Sequence, residues 1–140
     1  MTAMLRLPRP LRLLFVKDRL NWPRATGGDV HGSQMMRALV QRGHQVCLAT
    51  QSRCSPEAVA GLGLTDVVEL GSVPAAEPDD LPAPTRWQQK FESFWGQSAE
   101  ARLRLATLTR EQCFDAVIAL GPDAPLLLRG VSRGLRIWYA

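Results

Sequence analysis

Five short apolar runs alternate with longer stretches of helical periodicity along this chain. The first, Leu13-Leu14-Phe15-Val16, has no polar alternation and fits a strand buried on both faces. Residues 29–42 then carry Gly32, Met36, Leu39 and Val40 on one helical face, with Arg37, Gln41 and Arg42 toward water. Asp29 suits the N-cap of that helix and Gly43 its left-handed stop. Val46 and Leu48 mark a second strand. Ser55 and Pro56 fit the cap and first position of a short helix ending near Leu62. Val67-Val68-Glu69-Leu70 is a third strand. Residues 71–84, rich in Pro, Ala and acids, read as a long loop. Helical patterns return over 86–95 and 98–113, with Gly96 between them. Ala116-Val117-Ile118-Ala119-Leu120 is a fourth strand, 124–130 a turn or two of helix, and Arg136-Ile137-Trp138-Tyr139 a fifth strand.

Strands near 12–17, 45–50, 66–70, 116–120 and 135–139, separated by helices, predict an α/β fold. The expected form is a Rossmann-like parallel sheet with helices on both faces. Residues 1–11, basic and containing Pro8 and Pro10, read as a flexible leader, and 12–140 as one domain. With 140 residues, 46% of them hydrophobic and 21% charged, the composition is that of a globular domain rather than a disordered chain. A net charge of +4 suits an anionic small molecule, an acidic membrane surface or nucleic acid, and equally suits plain solubility. Cys47, Cys54 and Cys113 form no C-x-x-C pair and only two histidines accompany them, so no metal is implied. Reduced cysteines fit a cytoplasmic protein, with Cys47 in the core. No apolar run reaches the roughly 18 residues of a spanning helix. Arg6, Arg9, Arg12, Lys17 and Asp18 break up any signal peptide.

Ligands of open parallel sheets bind at the carboxyl ends of the strands. The loops at that edge are 17–28, 51–55 and 121–123. Gly27-Gly28 before a helix admits close backbone approach, and the free N–H groups of a helix start favour an anion such as phosphate. The bland alternative is a tight turn that packs helix on strand. The loop is not a Walker A motif, since no Gly-Lys-Ser/Thr follows. It is not a dinucleotide fingerprint either, since the second strand ends in Ala49-Thr50-Gln51 without an acid; an oxidoreductase is disfavoured for that reason. His44 is expected to shape the turn into the second strand.

A longer set of residues resembles a known family. Leu14-Phe15-Val16, Leu20-Asn21-Trp22-Pro23, Gly27-Gly28, Ala38-Leu39, Arg42-Gly43-His44-Gln45-Val46 and Leu48-Ala49-Thr50 resemble the N-terminal domain of family 4 glycosyltransferases. Phe114-Asp115-Ala116-Val117-Ile118-Ala119 and Gly121-Pro122-Asp123-Ala124-Pro125 are similar to that family's fourth strand and the loop after it. The resemblance implies the N-terminal half of a retaining GT-B enzyme, which transfers a sugar from a nucleotide-sugar donor to a glycan or lipid-linked acceptor. It places Gly27 and Gly28, with Asp29 and His31 as neighbours, beside the donor diphosphate. Asp18, Arg19, Trp22, Gly121 and Asp123 are then the acceptor-cleft candidates. It implies no cofactor beyond the nucleotide-sugar substrate. The family's donor-site acids have no match here, so no catalytic residue is assigned. The chain is expected to stop within its fifth strand and to be inactive without a C-terminal domain or a complementary chain. The alternative is a non-catalytic Rossmann-like binding or scaffolding subunit that pairs with a separate catalytic chain.

Trp87, Phe91, Phe94 and Trp95 follow helical spacing beside Arg86 and Lys90. The expected role of this stripe is packing on the sheet or over the cleft. A weak contact with a membrane surface is the alternative, which would make the protein peripheral there. Glu92 among the aromatics argues against nucleic acid.

Overall fold

All five apolar runs join one parallel sheet. The computed structural model describes residues 9–20, 27–71, 85–87, 90, 99–122 and 124–139. Its strands are β1 (Arg12–Lys17), β2 (Gln45–Thr50), β3 (Asp66–Glu69), β4 (Ala116–Leu120) and β5 (Leu135–Tyr139). Their order is β3-β2-β1-β4-β5, and every neighbouring pair runs parallel. The connecting helices are α1 (Gly27–Gln41), α2 (Pro56–Val59), α3 (Ala99–Glu111) and a 3-10 helix (Pro125–Gly130).

The alternation of side chains along each strand builds two cores. Leu13, Phe15, Val46, Leu48 and Ile118 face Met36 of α1 and Ala58 of α2. Leu14, Val16, Cys47, Ala49 and Val117 face Ala101 and Leu105 of α3 and Leu127 and Leu128 of the 3-10 helix. Helices therefore cover both faces. That is why β1 and β4 read as unbroken apolar runs rather than as alternating ones.

Local signals account for the ends of the elements. Gly43 takes φ +89°, the left-handed stop expected after α1. The next residue, His44, accepts the Leu11 N–H at Nδ1 (3.1 Å), so it shapes the entry to β2 as expected. Ser55 Oγ accepts the Ala58 N–H (3.3 Å) and caps α2. From α3, Arg104 donates to the carbonyls of Glu69 and Leu70 (2.8 and 2.9 Å) and so closes the end of β3. The start of α1 differs from expectation. It begins at Gly27, so Asp29 lies within the first turn and is not the N-cap.

A further tie is at the amino edge of the sheet. The Asp115 carboxylate accepts the Arg12 N–H (2.8 Å) and N–H groups of both terminal guanidinium nitrogens of Arg9 (2.6 and 3.1 Å). The chain entering β1 is thus bonded to the start of β4. The reason is that a carboxylate at the start of β4 draws in donors from the chain entering β1.

The Arg9 guanidinium and the Arg12 N–H hold the Asp115 carboxyl down at about 2, against an ordinary 3.8. A depressed carboxyl stabilises the fold above its unfolded pKa, and that contribution disappears as pH falls through the folded one. Asp115→Asn should therefore lower Tm at neutral pH, with the gap to wild type closing between about pH 4 and pH 2. A pH series of thermal melts reads this directly. Gly134 tests the backbone. It has φ +82°, and an added Cβ would lie 2.7 Å from the Phe114 carbonyl oxygen. Gly134→Ala should cost about 2 kcal/mol or more in urea unfolding, since neither the strain nor the clash can relax cheaply.

Candidate functional site

The strand order sets the site. From β1 the chain crosses to β2 on one side, and from β4 to β5 on the other, so the connections part above the carboxyl ends of β1 and β4. A crevice at such a switch point is where open α/β sheets bind ligands. The first turn of α1, which follows β1, and the Gly121 turn, which follows β4, both lie at this edge.

Three contacts hold α1 in place. Gly32 is buried, and a Cβ on it would stand 2.9 Å from Leu120 Cδ1, so the helix rests directly on the end of that side chain. Asp29 is buried against Lys17 at the carboxyl end of β1, with Nζ–Oδ1 at 3.5 Å and side chains 14% and 3% exposed for Lys17 and Asp29. His31 stacks on Tyr139 at the end of β5, ring centroids 5.2 Å apart and planes within 3°. Tyr139 connects on to the Gly121 turn, because its carbonyl accepts the Gly121 N–H (2.8 Å). The Trp138 indole N–H donates to the Gly121 carbonyl (3.0 Å). Gly121 itself takes φ +90°.

The proposed diphosphate residues thus divide. Gly27, Gly28 and His31 are exposed at the start of α1, whereas Asp29 is buried against Lys17. The backbone of Gly27 is helical, and a Cβ there would meet open space. Asp29 does not confront the crevice with a bare negative charge, because Lys17 lies against its carboxylate.

The cleft candidates divide as well. Gly121 lies at the switch point. Asp18 leans the other way, toward the loop after β2: its Oδ1 accepts from Gln51 Nε2 (3.3 Å) and its carbonyl from the Ser52 N–H (2.9 Å). Arg19 is exposed, with Nε 4.0 Å from Asp18 Oδ2. Trp22 and Asp123 lie outside the described residues. Near Asp18 a groove of about 510 Å³ is lined by Arg53, Cys54, Pro56, Val59, Val67 and Glu69. In the aromatic stripe Trp87 is exposed, with Lys90 Nζ 5.4 Å from its ring centroid. Phe91, Phe94 and Trp95 lie outside the described residues.

Sequence reasoning missed Lys17, Thr50 and Tyr139. Lys17 and Thr50 are register partners at the carboxyl ends of β1 and β2. Thr50 is wholly buried, and its hydroxyl has no hydrogen-bond partner among the described residues. The available signal was a polar residue closing each of two apolar strands. Among the described residues no group of three His, Cys, Asp or Glu side chains is placed to hold a metal ion. No described helix is long and apolar enough to cross a membrane.

No protein-family model and no curated protein matches the chain. Among solved structures it is similar to a crystal structure described as the glycotransferase of kitacinnamycin, with 23% identity over 81% of this chain and a TM-score of 0.48. The chain spans 25% of the length of that structure. The Rossmann-like character of the domain stands on its own sheet order and crossovers.

The Lys17–Asp29 pair supports a direct test. Leaving one member of a buried ion pair alone costs about 3 kcal/mol, whereas replacing both with apolar residues is close to neutral. Asp29→Ala should destabilise by about that amount. The double variant Lys17→Met, Asp29→Leu should recover most of the loss in urea unfolding.

Proposed function

We propose that this chain is the acceptor-side domain of a retaining GT-B glycosyltransferase of the family 4 type. It would act with a second, donor-binding domain to move a sugar from a nucleotide-sugar to a glycan or lipid-linked acceptor. The observation that carries the reading is the placement of the first turn of α1 and the Gly121 turn together at the β1/β4 switch point. The sequence resemblance runs through the same residues: Gly27-Gly28, Arg42-Gly43-His44-Gln45-Val46 and Gly121-Pro122.

In this reading the free N–H groups at Gly27 and Gly28 stabilise the negative charge that grows on the leaving diphosphate. Lys17 keeps the Asp29 charge from opposing it. His31, held flat by Tyr139, lies at the same helix start. The domain's share of the chemistry is positioning and electrostatics. The bond between the anomeric carbon and the diphosphate oxygen breaks as one forms to the acceptor oxygen, and this chain supplies no covalent step. A second reading, a non-catalytic subunit that pairs with another chain, is favoured by one observation, the partial exposure of every residue of β5.

Titration of the chain with a nucleoside diphosphate, followed by amide chemical shifts, tests the proposal. Shifts should gather at residues 27–32 and 121, with Kd in the millimolar range because one wall of a two-domain site acts alone. Gly27→Glu separates binding from folding. Its side chain projects into open space, and a carboxylate at a helix start stabilises by about 0.3–1 kcal/mol, yet it should abolish the shifts. Shifts elsewhere, or undiminished in Gly27→Glu, would reject the anion site.

A further inference from the structure

We draw no further inference here: the strongest candidate, the groove of about 510 Å³ between α2 and β3 lined by Arg53, Cys54, Pro56, Val59, Val67 and Glu69, carries nothing because nothing in the structure shows what covers it.

Discussion

β1 is bonded along both edges, to β2 on one side and β4 on the other. Helices cover both of its faces, and Leu13, Leu14, Phe15 and Val16 are all buried. Right-handed crossovers then divide the connections. The route from β1 to β2 passes over the face covered by α1, and the route from β4 to β5 passes over the face covered by the 3-10 helix. The gap above β1 and β4 follows from that divergence, without any residue dedicated to opening it.

What fixes the start of α1 over the switch point is a set of contacts. Gly32 packs on the Leu120 side chain. Asp29 reaches Lys17 at the end of β1 and His31 reaches Tyr139 at the end of β5. The first turn is thus tied to both sides of the switch point. The opposite edge of the sheet is closed in another way, by Asp115 gathering Arg9 and Arg12. Exposed charge secures the amino edge, and a buried ion pair with an aromatic stack secures the carboxyl edge.

The sequence made the sheet legible because central parallel strands must be apolar throughout. The runs 13–16 and 116–120 have no other economical reading, and Gly43 and Ser55-Pro56 mark ends by local chemistry that tertiary structure does not override. The site was less legible. Asp29 looks like a cap in sequence, because Ser, Asp and Asn at a helix start usually are one. Its actual role comes from Lys17, 12 positions earlier, which only the folded register brings beneath the helix. The His31–Tyr139 stack spans still more of the chain and leaves no periodic trace. Gly27-Gly28 invited a turn reading because adjacent glycines usually signal one. In the structure the helix begins on them.

The crevice and the exposed strand are not independent surfaces. Trp138 and Tyr139 belong to β5, yet both are bonded to Gly121, and Tyr139 also carries the His31 ring. The link is short and physical: one indole hydrogen bond, one backbone hydrogen bond and one ring stack.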